Sequence, residues 1–374
     1  MMDQVEENRA LREMTRQFVH SPLQHNRLHE ADAELVAMPG DGQKLLAVTI
    51  DTVTEEIAAG LYADPYLAGW MGVMASLSDL AAVGAQPLGV LVSETLPDHL
   101  GSEALARLQH GISDACRRCG THVLGGDTNR GNALAIGCCA IGYLDARAKL
   151  TRVGIRPGDL LYATGRLGTG NGFALSVLRG GRPSRSPFLP VARLREGRCL
   201  AGLARACMDT SDGVLATLDQ LMRINGTGFR IAPGWEETLE PAARDTAREA
   251  GLPDWFLLAG QHGEFELLFA IRPEDESLLN SRAAEIGWMP LRLGQATADC
   301  QIVLPVGNRD RALPTGEIRD LNQGQGAHLE GIMEGLRGIH DRIVKDSWRA
   351  GDMREGANAD VPVATESGWE GGVS

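Results

Sequence analysis

Apolar residues along the chain follow two spacings, one typical of strands and one typical of helices. The runs 45–50 and 133–144 are apolar or β-branched and lie beside turn residues, which predicts strands. Between them, from 66 to 83, apolar residues recur every three or four positions, which predicts a helix. This alternation favours an α/β unit that ends near Leu150. The other elements predicted here are helices at 6–19 and 102–119 and a strand at 88–93.

The pattern is interrupted at 152–159, a charged stretch with glycine and proline that predicts a domain junction. We therefore expect an N-terminal domain over 1–150 and a C-terminal domain over 151–335. The Gly-, Ala- and Glu-rich end, 351–374, is expected to be a disordered tail. The elements predicted in the second domain are strands at 160–164, 229–231 and 266–272, two short strands within 292–304, and helices at 173–178, 193–206, 214–223, 241–250, 274–286 and 328–348.

Composition and charge limit the kinds of partner that the protein can have. The 374 residues carry a net charge of −13, which argues against nucleic acid or an anionic membrane. No apolar run reaches the length of a membrane-spanning helix, and the acidic N-terminus lacks a signal-peptide core, so we expect a cytoplasmic protein. The seven cysteines are an odd number and are expected to be reduced thiols, including the pair at Cys116 and Cys119.

The segment 124–131 combines three glycines with Asp127, Thr128, an Asn and an Arg, and it precedes the predicted strand at 133–144. We interpret it as a loop whose bare backbone at Gly125 and Gly126 lets a phosphate or a metal ion approach closely. The alternative is an ordinary tight turn, since Gly, Asp and Asn are common turn residues.

Several more aspartates lie at predicted strand ends or helix starts, beside Gly, Ser or Thr. Hard carboxylate oxygens of this kind suit Mg²⁺, which binds a few carboxylates together with substrate phosphate oxygens. Catalysis of phosphoryl transfer would then be mostly electrostatic and positional. For any single aspartate the alternative is a helix cap, for example at Ser211 or Asp212. The candidates are Asp32, Asp51, Asp79, Asp127, Asp209 and Asp212.

Taken together, short motifs over about residues 5 to 305 resemble those of the aminoimidazole-ribonucleotide synthetase-like (PurM-like) superfamily, and within it the thiamine-monophosphate kinase family. The matching segments are Thr49-Ile50-Asp51-Thr52, Leu77-Ser78-Asp79-Leu80-Ala81-Ala82-Val83-Gly84-Ala85, Gly125-Gly126-Asp127-Thr128, Arg156-Pro157-Gly158-Asp159-Leu160, Thr164-Gly165-Arg166-Leu167-Gly168, Asp209-Thr210-Ser211-Asp212-Gly213 and Phe265-Glu266-Leu267-Leu268-Phe269.

The resemblance implies an α/β (α+β) fold with two domains: an N-terminal domain whose strands form a β-barrel across a homodimer, and a C-terminal α/β sandwich domain. ATP would bind between them with Mg²⁺. The metal ligands implied by the matched motifs are Asp51, Asp79, Asp127 and Asp212, with Asp32 as a fifth; Asp127 and Asp212 are also the candidate catalytic residues. Contacts to nucleotide or phosphate are implied for Thr52, Gly125, Gly126, Thr128, Arg152 and Ser211.

Three functions stay open at this point. The first is an ATP-dependent kinase that phosphorylates a phosphate monoester, thiamine monophosphate or a related small molecule, to a diphosphate. The second is an ATP-dependent synthase that activates an amide or carboxylate oxygen by phosphorylation. The third is a nucleotide-binding scaffold without turnover. Departures from the kinase pattern at Ala31, Met71, Ser76, Thr217 and 261–264 point to an altered phosphate acceptor, while the metal-binding aspartates are kept.

Overall fold

The computed structural model describes residues 5–180, 188–306, 309–323 and 329–344. The predicted tail at 351–374 lies outside these residues. All seven cysteines are within them and none forms a disulfide there. Within the same ranges, no helix has the length and apolar character needed to cross a membrane.

The first sheet contains five strands in the order β1-β2-β5-β3-β4. The β3–β4 pair is parallel and the other pairs are antiparallel. Its strands are β1 (Glu34–Met38), β2 (Asp41–Thr52), β3 (Gln86–Pro97), β4 (Val123–Gly131) and β5 (Ala135–Asp145). The helices of this part are α1 (Glu6–Thr15), α2 (Thr54–Ala58), α3 (Pro65–Ala82) and α4 (Ser102–Arg118).

Helix α3 is the central element of the fold because 13 of its 18 residues are buried and none is exposed. The Asp64 carboxylate accepts a hydrogen bond from the Tyr66 N–H, and Pro65 occupies the first turn, so both the cap and the first residue favour a helix start. The helix packs on β2 and β5 on one side and on the second sheet, through β7, on the other. Gly69 permits the close approach of α4, since a Cβ atom there would lie 2.3 Å from the Leu108 carbonyl oxygen.

The second sheet contains seven strands in the order β12-β11-β8-β10-β6-β9-β7. One face packs toward α3, and the other covers a second apolar core. Its strands are β6 (Leu160–Ala163), β7 (Ala206–Asp209), β8 (Gly228–Ile231), β9 (Leu267–Ile271), β10 (Leu291–Thr297), β11 (Ile302–Val306) and β12 (Arg309–Ala312). The helices are α5 (Thr169–Leu178), α6 (Leu194–Leu200), α7 (Val214–Asn225), α8 (Pro241–Glu249), α9 (Phe256–Ala259), α10 (Glu276–Glu285), α11 (Thr315–Gln323) and α12 (Leu329–Val344).

The structure confirms a mixed α and β fold with two sheets and differs from the sequence prediction in two segments that matter for function. The segment 124–131, predicted as a loop, belongs to β4, an exposed edge strand. The helix predicted over 193–206 ends at Leu200, and residues 206–209 form β7 instead. Over the described residues, the first sheet is open and does not close into a barrel within one chain.

Candidate functional site

A cavity of about 380 Å³ lies where β2, α3 and β7 meet. Five aspartates line it and come from four separate segments of the chain. Asp32 precedes β1, Asp51 is in β2, Asp79 is in α3, Asp209 ends β7, and Asp212 lies in the turn before α7. The structure therefore brings together four of the five metal ligands that the resemblance implies, together with Asp209, which is also among the candidate aspartates of the sequence. The predicted phosphate contacts that also line the cavity are Thr52, Arg152 and Ser211.

Three of these carboxylates form a compact group. Oxygen atoms of Asp32, Asp79 and Asp209 all lie within 4.8 Å of one another. The Arg152 guanidinium donates two hydrogen bonds to the Asp32 carboxylate, at 3.0 and 3.2 Å. Elsewhere in the group, the Ser78 hydroxyl donates to Asp209 at 2.6 Å and the Thr49 hydroxyl donates to Asp79 at 2.5 Å. Each carboxylate is thus oriented by a partner, as in sites that hold a ligand rigidly.

The three carboxylates of this group carry more negative charge than the single neighbouring cation, Arg152, can balance. Burial, followed by the charges of Asp51, Asp209 and Asp32, raises the pKa of Asp79 well above its ordinary value. Burial and then Asp32 raise the pKa of Asp209 to about 7. Burial also raises the pKa of Asp51.

Arg152 is the cation inside this group. Its burial lowers its pKa, but Asp32, Asp79 and Asp209 outweigh that effect and raise it. Closely spaced carboxylates with raised pKa values are stabilised by a bound cation, and a donor set made only of oxygen suits a hard divalent ion. The residues present therefore fit Mg²⁺.

The turn between β7 and α7 places Ser211 and Asp212 at the cavity. The residue before α7 is Gly213, with a φ of 88°, and no side chain caps the helix. The N-cap position therefore belongs to Gly213 and not to Ser211 or Asp212. The Ser211 hydroxyl instead donates to Asp209 at 2.9 Å. Gly213 is required because a Cβ atom there would lie 2.2 Å from the Gly260 carbonyl oxygen.

The segment 125–128 lies apart from this cavity, on the edge strand β4. Asp127 pairs with Ser93 in the sheet, Ser93 pairs with Gly137, and Gly137 pairs with Thr52. Three strand spacings therefore separate Asp127 from Thr52, about 14 Å. Gly125, Gly126, Asp127 and Thr128 do not line the cavity in the single chain, and their predicted roles stay predictions.

The pairing of β4 with β3 accounts for part of the motif around Asp127. The Asn129 amide donates to the Asp127 carboxylate at 2.6 Å. A Cβ atom at Gly126 would lie 1.9 Å from the Val92 carbonyl oxygen, so glycine is needed for β4 to approach β3. The sequence predicts that the bare backbone at Gly126 faces a ligand, whereas in this chain it faces the neighbouring strand β3.

The glycine-rich segment 165–172 leads from β6 into α5 and has the composition of a phosphate-binding loop. At its centre the Gly168 N–H donates to the Glu264 carboxylate at 2.8 Å, so a buried side chain of the protein itself occupies the start of α5. A Cβ atom at Gly170 would lie 2.1 Å from the Gly263 carbonyl oxygen. These contacts favour the plain strand-to-helix turn over a phosphate site.

Sequence reasoning left two other residues of the cavity wall without a role. The Tyr62 hydroxyl and the His262 Nε2 atom share a hydrogen bond of 2.7 Å across 200 residues of sequence. Burial lowers the pKa of His262 to about 4, so the ring is neutral at pH 7. Phe265, which follows three positions later, has a φ of 59°, a left-handed conformation that is uncommon for a bulky residue. No short motif could signal the Tyr62–His262 contact because it depends on the tertiary fold.

Comparison with known proteins gives a consistent family. Residues 30–144 match the family described as AIR synthase related protein, N-terminal domain. Thiamine-monophosphate kinase of Halobacterium salinarum is 32% identical over 271 residues, which cover 71% of this chain and 89% of that relative. Two solved structures are similar over the same extent, 81% of this chain and 97% of theirs. They are tt0281 from Thermus thermophilus, with a TM-score of 0.67 at 29% identity, and thiamine monophosphate kinase from Aquifex aeolicus, with a TM-score of 0.64 at 20% identity. The chain therefore belongs to the thiamine-monophosphate kinase family, within the AIR synthase-related (PurM-like) proteins.

Proposed function

We propose that this protein transfers the terminal phosphoryl group of ATP to the phosphate of a phosphate monoester, thiamine monophosphate or a related molecule, and forms a diphosphate. The observation that carries this proposal is the group of carboxylates from Asp32, Asp79 and Asp209, with oxygen atoms within 4.8 Å of one another in a cavity. Family membership supplies the reaction class, because the curated relatives carry the name thiamine-monophosphate kinase.

The residues of the cavity divide into two roles in this proposal. Arg152, Thr52 and Ser211 would contact phosphate oxygens. Bound Mg²⁺ would neutralise phosphate charge, so that two anionic groups can come together. The proposed ligands are Asp32, Asp51, Asp79, Asp209 and Asp212.

Phosphoryl transfer to a phosphate monoester requires little acid–base catalysis by the protein. A phosphate monoester has a second pKa near 6, so most of it is already a dianion at pH 7 and its oxygen can attack without losing a proton. The task of the site is to hold donor and acceptor in line. The hydrogen bonds from Ser78, Thr49 and Arg152 serve this task, because they fix the carboxylates before substrate arrives and reduce reorganisation during the reaction.

We also propose that two copies associate through the open face of the first sheet and close it into a dimeric barrel. Large apolar side chains are exposed on this sheet, Ile50 at 71% and Leu124 at 57%, together with Leu91. Ile50 and Leu91 both pair with Cys139 of β5, so their side chains share one face of the sheet. Thr52 is two residues from Ile50, and Asp127 pairs with Ser93, which is two residues from Leu91, so both side chains lie on this same face. A second copy would therefore enclose them, and Asp127 remains a candidate ligand in the dimer.

The dimer is tested by light scattering after size exclusion, with Leu91→Glu as the disrupting variant. The wild-type protein is expected at twice the chain mass of 40.0 kDa and the variant at the mass of one chain. Glu103→Gln, which changes an exposed charge on α4, is the control and should not alter the mass. A monomeric wild-type protein at micromolar concentration would contradict the proposal.

The reaction is tested by phosphorus NMR of ATP incubated with the protein, Mg²⁺ and thiamine monophosphate, or other phosphate monoesters in parallel. We expect loss of ATP, a new diphosphate signal, and no reaction in EDTA. Free phosphate as the sole product would indicate the synthase or a hydrolase instead. No consumption of ATP with any acceptor would indicate the scaffold.

A further inference from the structure

A cavity of about 430 Å³ lies between the end of α4 and the start of α6. Among the described residues, none lines both this space and the carboxylate cavity. Five arginines line the space, which we call the arginine groove, although the protein has a net charge of −13. Glu196 is the one carboxylate among the described residues of its wall. The five arginines are Arg117, Arg118, Arg193, Arg195 and Arg198.

Two of the five arginines already have a carboxylate partner. Arg117 forms an ion pair with Asp114 at 2.7 Å. The Arg193 guanidinium donates to the carboxylate of Glu266 at 2.7 Å, and Glu266 is buried. Over the part of the chain that the structure describes, the other three form no ion pair. They are Arg118, Arg195 and Arg198. Three unpaired arginines against the single Glu196 leave the groove with an excess of two positive charges.

The ends of the two helices account for only part of this charge. Arg117 and Arg118 lie in the last turn of α4, where the helix dipole favours a cation. Arg195 lies instead in the first turn of α6, where the dipole disfavours a cation. Helix stabilisation therefore does not explain why Arg195 faces the same groove, whereas an anionic ligand in the groove would interact favourably with it.

Both walls of the groove are held firmly against α3. A Cβ atom at Gly111 of α4 would lie 2.1 Å from the Tyr66 carbonyl oxygen, and a Cβ atom at Gly197 of α6 would lie 2.0 Å from the Ala81 carbonyl oxygen. Leu194 at the start of α6 is also buried. Four of the five arginines therefore extend from close-packed helices, which is the kind of support that holds a binding site in a fixed geometry.

We propose that the arginine groove binds a doubly charged phosphate group, carried by a small molecule or present as inorganic phosphate, at a site separate from the carboxylate cavity. A phosphate monoester carries nearly two negative charges at pH 7, which matches the excess charge of the groove. Guanidinium groups donate paired hydrogen bonds to phosphate oxygens, and Arg118 and Arg198 have no ion-pair partner within the described ranges that would compete. The volume of the groove is typical of small-molecule pockets.

The test is calorimetric titration of the full-length protein with inorganic phosphate and, separately, with ribose 5-phosphate, at pH 7 and low ionic strength in EDTA. Without Mg²⁺ the carboxylate cavity keeps its negative charge and should not bind these anions. We expect saturable binding with a dissociation constant below about 1 mM. Arg118→Gln and Arg198→Gln each remove one charged donor at an exposed position, so each should weaken binding about tenfold while the fold is kept.

Arg248→Gln is the matched control, since Arg248 is an exposed arginine of α8 that does not line the groove, and it should keep the wild-type affinity. Tighter binding of ribose 5-phosphate would support the groove and assign a phosphate ester as its ligand. Equal or tighter binding of inorganic phosphate would support it with the inorganic ion as ligand. Absence of saturable binding of either probe up to about 10 mM would overturn the inference, as would wild-type affinity in both groove variants.

Discussion

Replacing Asp209 by asparagine should stabilise the metal-free protein at pH 7, although it removes a proposed metal ligand. The Asp209 carboxylate is buried, and its nearest charged neighbours include Asp32 and Asp79. Carboxylates that are arranged to bind a cation repel one another when the cation is absent. The amide of asparagine removes one of these negative charges. The prediction therefore reverses the usual expectation that a buried substitution destabilises.

The size of the effect follows from the pKa of Asp209, which burial and Asp32 raise from 3.8 to about 7. One pKa unit corresponds to about 1.4 kcal/mol, so ionising this group at pH 7 costs the folded protein about 4 kcal/mol. The amide would weaken the hydrogen bonds from Ser78 and Ser211, which offsets about 2 kcal/mol. The net gain in the free energy of unfolding is about 2 kcal/mol.

The sign of this gain depends on pH. The folded-state pKa lies above the unfolded-state value, so the penalty on wild-type Asp209 is absent well below pH 3.8 and complete above pH 7. At pH 4.5 about 1 kcal/mol of the penalty remains. The lost hydrogen bonds then dominate, and Asp209→Asn should be less stable than the wild-type protein by about 1 kcal/mol.

Urea unfolding in EDTA at pH 7 and pH 4.5 measures both values. Asp98→Asn is the control, because the Asp98 side chain is 93% exposed and its replacement should change the free energy of unfolding by less than about 0.5 kcal/mol. If Asp209→Asn were less stable at pH 7 in EDTA, or if its effect were the same at both pH values, the carboxylate group would not be under the repulsion inferred here.

Two further changes test the fold around the candidate residues. Gly126→Ala should destabilise the protein by about 2 kcal/mol or more, because the new Cβ atom would lie 1.9 Å from the Val92 carbonyl oxygen. Gly125→Ala is the control and should be nearly neutral, because its Cβ atom would meet no atom closer than 3.8 Å. Urea unfolding of the two variants compares them directly. Asn225→Ala should cost about 2 to 3 kcal/mol by the same assay, since its amide bonds the N–H groups of 154 and 155 and the carbonyl groups of 152 and 221. A loss below about 0.5 kcal/mol in Asn225→Ala would argue against this assignment.

The elements that sequence analysis predicted well have a regular spacing of apolar residues. Strand β5 alternates buried and half-buried residues, and in helix α3 the large apolar side chains recur at helical spacing although both sides of the helix are packed. Strand β4 was missed because its residues are exposed and rich in glycine, and it exists through pairing with β3. Helix α6 ends at Leu200, earlier than predicted, because the chain must enter β7 beside β9.

The site was predictable where short motifs fix its residues. Asp51, Asp79 and Asp212 belong to such motifs and meet in the cavity, together with Asp32. The hydrogen bond between Tyr62 and His262 joins segments 200 residues apart and has no local signature.

The position of Asp127 in the fold could not be predicted from its motif. Its motif suggests a common site, but register in the first sheet sets it about 14 Å from Thr52 within one chain. Motif order along the sequence cannot reveal such a separation, because it depends on which strands pair.

The central claim is that the carboxylate group of α3 and β7 supports phosphoryl transfer from ATP. The most direct measurement is the rate at which purified Asp79→Asn converts ATP and thiamine monophosphate to a diphosphate in the presence of Mg²⁺, followed by phosphorus NMR beside the wild-type protein and Asp98→Asn. We predict that the wild-type protein and Asp98→Asn form the diphosphate, and that Asp79→Asn, while folded by circular dichroism, is slower by a factor of about 100 or more. A rate for Asp79→Asn within about threefold of the wild-type rate would contradict the account.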